Sequence, residues 1–99
     1  MKTFGQLVAE DRRLQTLRLL AESGDYTAAH SLLQSALASV GHPVASDRLH
    51  TDLAWLEEQG LVQLSAVAGI TLAKLTARGL DVSAGRAEVP GVKRPGPGE

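Results

Sequence analysis

Metal or acid–base chemistry in this sequence would have to start from its three histidines, His30, His42 and His50. Asp47 and His50 stand one helical turn apart, but zinc needs three or four ligands, and no others fall at a matching interval. The chain has no cysteine, so a disulfide, a thiolate metal site and a cysteine nucleophile are excluded. No Ser, His and acid grouping, glycine-rich phosphate loop or carboxylate pair has the spacing that catalysis requires. The sequence therefore reads as a non-enzyme with no cofactor and no metal. Polyanion recognition is better represented, because Ser46, Arg48, His50 and Thr51 lie close together. An arginine there can hydrogen-bond guanine or phosphate, and His50 and Thr51 can contact phosphate or a base edge. Ser46 and the free backbone N–H groups at a helix start suit phosphate. Lys74, Arg86, Lys93 and Arg94 are further cations able to follow a phosphate backbone.

Charge opposes that reading. Ten Lys and Arg against eleven Asp and Glu leave a net charge of -1, without the overall basicity typical of nucleic-acid binders. Residues 26–60 carry Arg48 against Asp47, Asp52, Glu57 and Glu58, and an acidic segment repels a polyanion. Counting Asp52 with the exposed residues is part of that expectation.

The elements that would position these residues follow from periodicity. From Thr3, Phe4, Leu7, Val8, Leu14, Leu17, Leu20 and Ala21 recur at spacings of three and four, broken only where Asp11 occupies an expected apolar turn, which predicts an amphipathic helix ending at Ser23-Gly24-Asp25. Its Arg12, Arg13 and Arg18, mixed with Glu10, Asp11 and Glu22, read as a solvated face. A second helical period, through Ala29, Leu32, Leu33, Ala36, Leu37 and Val40, predicts a helix over 26–40. Asp25 or Thr27 would cap it, Gly41 would end it, and Pro43 would enforce an extended exit. The third helix follows Ser46 as cap and closes at Gly60. At about 100° per residue its Leu49, Leu53 and Leu56 share an arc of roughly 60°. Trp55 lies about 120° off that arc, which suits a ring packed over the first helix at the core margin.

Beyond Gly60 the period shifts towards two. Residues 61–67 and 70–75 predict a hairpin turning at Ala68-Gly69, which must lean on the helices because a lone hairpin is marginal in water. Its tip, Val67 to Ile70, offers no cation, so the wing is expected to touch DNA weakly and to serve mainly by covering the core. Thr76 caps a short helix to about Ala84. From Gly85 the sequence GRAEVPGVKRPGPGE, rich in proline and glycine, reads as a flexible tail over 85–99 attached to a domain over 1–84. Within the chain, 43% apolar residues and a length of 99 suit one core. No apolar run reaches the roughly 18 residues of a membrane span, and the start lacks a signal-peptide stretch, so a cytoplasmic location with no membrane partner is expected.

Helix, helix, Gly-Pro turn, helix, hairpin, short helix is the order α-α-α-β-β-α of a winged helix-turn-helix, mainly α with a small β-hairpin. The segment Leu53-Ala54-Trp55-Leu56-Glu57-Glu58-Gln59-Gly60-Leu61-Val62, followed by Leu75-Thr76-Ala77-Arg78-Gly79, resembles signatures of bacterial winged-helix repressors of the MarR and ArsR type. The Asp11-Arg12-Arg13-Leu14 run, Asp52-Leu53-Ala54-Trp55-Leu56, Gly79-Leu80-Asp81-Val82 and Val89-Pro90-Gly91-Val92-Lys93-Arg94-Pro95 resemble, together with Phe4, a small winged-helix family of Mu-like phages and prophages. That resemblance implies a phage-encoded protein with an ArsR-like fold and fixes fold better than function; the helix-turn-helix order is what leads to the expectation of a transcription regulator with double-stranded DNA as partner. A homodimer is expected, since one reading helix covers only a short half-site, with Phe4, Leu7 and Trp55 as candidate interface residues. The alternative is a winged helix that binds a phage or host protein instead of DNA.

Overall fold

The computed structural model describes residues 1–97. Helix α1, Phe4–Glu22, begins with a reciprocal cap in which Thr3 Oγ1 accepts from Gln6 N–H and Gln6 Oε1 accepts from Thr3 N–H. Two orphan donors are thereby satisfied at once. Leu14, Leu17 and Leu20 form its buried stripe, and it ends at Ser23 as the period predicts.

A single turn with Asp25 and Tyr26 both at φ 55 then reverses the chain into a short strand, β1, Thr27–Ala29. Here the structure departs from the sequence reading. Helix α2 covers His30–Ser39 with Ala29 in the cap position and no side-chain cap, so the helix predicted from Tyr26, with Asp25 or Thr27 capping it, starts four residues later. The cause is a distant partner: Thr27, Ala28 and Ala29 pair antiparallel with Lys74, Ala73 and Leu72. That ladder satisfies backbone groups which would otherwise have turned helical.

Helix α3, Ser46–Glu58, has Ala45 at its cap, so Ser46 is the first helical residue instead of the cap itself. Strands β2, Val62–Val67, and β3, Ile70–Leu75, form the predicted hairpin, and the sheet order is β1-β3-β2. Ala68 and Gly69 turn it with φ 51 and 78, the left-handed pair that matches the twist of a two-residue hairpin.

Helix α4, Ala77–Ser83, starts where Thr76 Oγ1 accepts from Gly79 N–H at 3.0 Å. The same hydroxyl donates to Gly60 O at 2.7 Å. A Cβ on Gly79 would lie 2.1 Å from Leu61 O, a backbone atom with no freedom to move aside. The Thr76 to Gly79 interval therefore does two jobs, capping α4 and letting it press against the entrance to β2. The result is the winged helix-turn-helix read from the sequence, an α+β fold with one more strand than expected.

The core is built from Leu14, Leu17, Leu20, Leu33, Leu37, Leu49, Leu53, Leu56 and Leu61, each at most 1% exposed. Residues 85–97 belong to the same body. Val89 and Val92 are buried with the core, Lys93 N–H donates to Glu10 O at 3.2 Å, and Arg13 donates to Gly91 O at 2.8 Å. The segment read as a flexible tail is thus an arm strapped along α1; burial of two valines and these hydrogen bonds outweigh its glycine and proline content. Gly98 and Glu99, also assigned to that tail, lie outside the described residues. Among the described residues no helix is long and apolar enough to cross a membrane.

Candidate nucleic-acid interface

Helix α3 is fixed from three sides. On its inner face Leu49, Leu53 and Leu56 enter the core. Next to them sits Asp52, whose side chain is 2% exposed and whose carboxylate takes a two-pronged contact from Arg12, Nε at 2.6 Å and Nη2 at 3.3 Å. Arg13 Nε lies 3.8 Å from Oδ1, the oxygen that also accepts from Arg12 Nη2. This corrects two expectations. Asp52 is not part of the exposed acidic surface, and Arg12 and Arg13 are not a solvated face. A planar guanidinium matches a carboxylate in two parallel contacts, so α1 and α3 are registered against each other by the Arg12–Asp52 pair.

Arg13 extends the lock. Its guanidinium lies 4.6 Å over the Trp55 ring, within cation–π range, while its Nη1 holds Gly91 O of the arm. Gly91 has φ +100, and a Cβ there would approach Trp55 Cη2 to 2.7 Å. Trp55 is consequently a partly buried ring packed against the core between Arg13 and the arm.

The turn before α3 is tied down in the same way. His30 is buried; its Nε2 lies 3.2 Å from Ser46 O, and because a carbonyl only accepts, that nitrogen carries the proton. The ring stacks on His50 of α3 with centroids 3.9 Å apart. Gln34 donates to Val44 O at 3.0 Å. His42 donates through Nε2 to Asp11 Oδ2 at 2.6 Å, and Lys93 of the arm lies 3.5 Å from Asp11 Oδ1. Burial of Asp11 opposes its ionisation, yet the His42 hydrogen bond, Lys93 and Gln15 together outweigh it and hold its carboxyl below the ordinary value of 3.8.

With its inner face so engaged, α3 leaves Ser46, Asp47, Arg48, His50, Thr51 and Ala54 exposed. The sequence-predicted reading residues therefore stand together on one outward surface, and Ala45, Asp47, Arg48 and Thr51 border a shallow depression of about 410 Å³. The other candidates are dispersed. Lys74 sits at the base of the hairpin, 3.9 Å from Asp25, Arg86 pairs with Asp81 at 3.0 Å, and Arg94 pairs with Glu88 at 2.7 Å. Lys93 faces Asp11, so the arm's cations are largely answered within the chain. Phe4 is 82% and Leu7 51% exposed at the start of α1. Leu7 borders a cleft of about 590 Å³ between α1 and the arm, walled also by Val89, Val92 and Lys93.

The sequence reading missed the Arg12–Asp52 lock, although a signal existed. On a helical wheel Asp52 falls roughly 40° from Leu56, on the flank of the leucine arc and not opposite it. Among the described residues no group of three or more His, Asp or Glu is arranged to hold a metal ion.

Several known proteins resemble the chain. It is 44% identical over 94 residues to gp26, an uncharacterized protein of Escherichia phage Mu, covering 95% of this chain and 97% of that one. A Haemophilus influenzae protein, also uncharacterized, is 39% identical over 82 residues, covering 82% of this chain and 79% of the relative. No protein-family model matches. In fold, the chain is similar to RosR of H. salinarum grown from NaBr, with a TM-score of 0.63 and 23% identity over 74% of this chain and 66% of that one. The RosR-S4 complex aligns with a TM-score of 0.64 and 23% identity, covering 80% of this chain and 70% of that chain. The fold is shared with RosR, and by sequence the chain belongs to the family of phage Mu gp26.

Proposed function

We propose that this protein is a phage or prophage transcription regulator that binds double-stranded DNA through α3, as a homodimer. The observation that carries the reading is the burial of Asp52 against Arg12. It withdraws a carboxylate from the surface that would meet phosphate and fixes the helix that carries Arg48, His50 and Thr51 outward. Arg48 contacts guanine or phosphate, Thr51 and His50 contact phosphate or base edges, and Ser46 with the first backbone N–H groups of α3 takes a phosphate. Lys74 and the arm cations Arg86, Lys93 and Arg94 add salt-sensitive backbone contacts when their carboxylate partners are exchanged for phosphate. Phe4 and Leu7, with the adjoining cleft, form the dimer contact, while Trp55 serves mainly to hold α3 to the arm. No catalytic chemistry is assigned.

The test is a selection of duplexes from a random pool with the full chain, followed by affinity measurements on Arg48→Ala/Thr51→Ala. Loss of a bidentate base contact costs about 1–3 kcal/mol, so an affinity drop of ten-fold or more on the selected duplex is expected. Unchanged affinity and salt dependence would remove α3 as the reading element. A second reading, docking on a phage or host protein, is favoured by the exposed Asp47 beside Arg48 and the exposed Glu58 at the other end of α3. Recovery of a stoichiometric protein partner together with no DNA binding at low salt would establish it.

A further inference from the structure

His30 touches no ligand in the α3 reading, yet His50 of the reading surface rests on it. The two rings lie flat on each other, centroids 3.9 Å apart and planes 16° from parallel. His30 spends its Nε2–H on Ser46 O at 3.2 Å. One face of the exposed His50 ring is thereby covered, which leaves its edge, where the ring nitrogens are, to meet a ligand. Stacked rings do not converge on a point, so the pair does not form a shared metal site.

We propose that this pair makes DNA binding proton-linked: His50 takes up one proton as a duplex docks on α3, and His30 is a positioning residue that holds the accepting ring and restricts the pair to a single charge. The inference rests on the α3 reading above and adds regulation by pH to it. A free imidazole changes charge near pH 6.5, so the field of a bound phosphate is enough to bring the change into the neutral range.

The geometry sets both the number of protons and their place. Two positive rings 3.9 Å apart repel strongly even when partly screened. His30 is the worse host for the charge on two counts: it is buried, and it is the first residue of α2, where the helix dipole already presents its positive end. His50 is exposed, and an imidazolium donates from both nitrogens, so one N–H can meet a phosphate oxygen.

Neighbouring charges leave the decision to that proton. On α3, Asp47 and Arg48 stand three and two residues before His50. Helix α1 brings Arg12 and Arg13, both gathered on Asp52. No Asp, Glu, Lys or Arg occurs between Asp25 and Asp47, so α2 and β1 add none. On β3 the partners of Ala28 and Ala29 are Ala73 and Leu72, and Lys74 lies 3.9 Å from Asp25. The third imidazole, His42, is bound to Asp11 of α1. Between Ser46 and Ala54 the exposed charges are thus Asp47 and Arg48, which cancel, and a proton on His50 is what turns this surface net positive towards a polyanion.

The experiment measures the affinity of the full chain for a duplex from the random-pool selection, at fixed ionic strength, between about pH 6 and pH 8.5, which spans the imidazole range. The natural chain is expected to bind about ten-fold more tightly at the acid end, the gain of a charge-assisted hydrogen bond to phosphate over a neutral one. Its salt slope is expected to be steeper there by about 0.9, one further counterion. Calorimetry of the same binding in buffers of different ionisation enthalpy is expected to show net proton uptake, approaching about one per chain near pH 7. His50→Gln, which stays polar but takes no proton, is expected to lose both the pH dependence and the uptake. His30→Phe keeps a flat partner for the stack and is expected to retain both, whereas His30→Leu fills the space without a flat face and is expected to lose most of the pH effect. Tight binding by the natural chain with neither pH dependence nor proton uptake, or the same pH dependence in His50→Gln, would overturn the proton link while leaving the α3 reading intact. An undiminished pH effect in His30→Leu would overturn the part assigned to His30. Failure of the natural chain to bind any duplex at any pH would overturn the DNA reading itself.

Discussion

Asp52 is the residue on which the description of the surface turns. Its sequence neighbourhood, with Asp47, Glu57 and Glu58, reads as an acidic helix, and only its wheel position beside Leu56 hints at burial. The partner, Arg12, lies 40 residues away, and no local pattern announces a pairing over that distance. Breaking such a pair leaves a cation without its counter-charge, at a typical cost of about 3–5 kcal/mol. Asp52→Ala is accordingly expected to lower unfolding stability by about that amount in urea titrations; a loss well under 1 kcal/mol would mean that the lock does not hold α3. Asp11 gives a pH signature of different form. Its folded carboxyl lies below 3.8, so its contribution is fully present above that value and is lost as the pH falls through the lower, folded one. The stability difference between the natural chain and Asp11→Asn is expected to shrink as the pH falls from about 5 towards 3. A difference that grew on acidification would contradict the His42 and Lys93 assignments.

At the scale of elements, local signals were sufficient wherever the element is locally determined. Thr3, Gly60, the Ala68-Gly69 turn and Thr76 mark ends that the structure reproduces, because capping and turn chemistry act within four residues. They were insufficient for β1 and for the arm. β1 exists because β3 offers a free edge, and its three residues also fit a helical period. The glycine and proline content of the arm reads as a flexible tail, yet Val89 and Val92, spaced by three, are buried with the core, and Gly91 is the residue that lets the backbone pass Trp55. Gly91→Ala combines a strained φ with a 2.7 Å approach to the indole and is expected to cost about 1–3 kcal/mol, with a red-shifted emission from Trp55 as the arm lifts. An unchanged spectrum and stability would show that the arm does not clamp the ring. The candidate interface was legible to the extent that it is contiguous in sequence, Ser46 to Thr51. Its electrostatics were not, since they depend on which distant arginine neutralises which carboxylate.

For the molecule as a whole, a net charge of -1 is compatible with DNA binding only if charge is sorted between surfaces. The structure sorts part of it: carboxylates at positions 11, 52 and 57 are engaged inside the chain, and the wing carries none. Family membership with gp26 of phage Mu and the fold shared with RosR place this arrangement in a phage-related winged helix. The most direct test of the central claim is a salt titration of binding to duplex fragments of the surrounding locus by fluorescence anisotropy, with light scattering on the same samples. Binding by a dimer whose log K falls linearly with log salt, with a slope near -0.9 for each displaced phosphate counterion and several counterions released, is the predicted result. A chain that binds no duplex even at about 20 mM salt, where phosphate contacts are strongest, would contradict it.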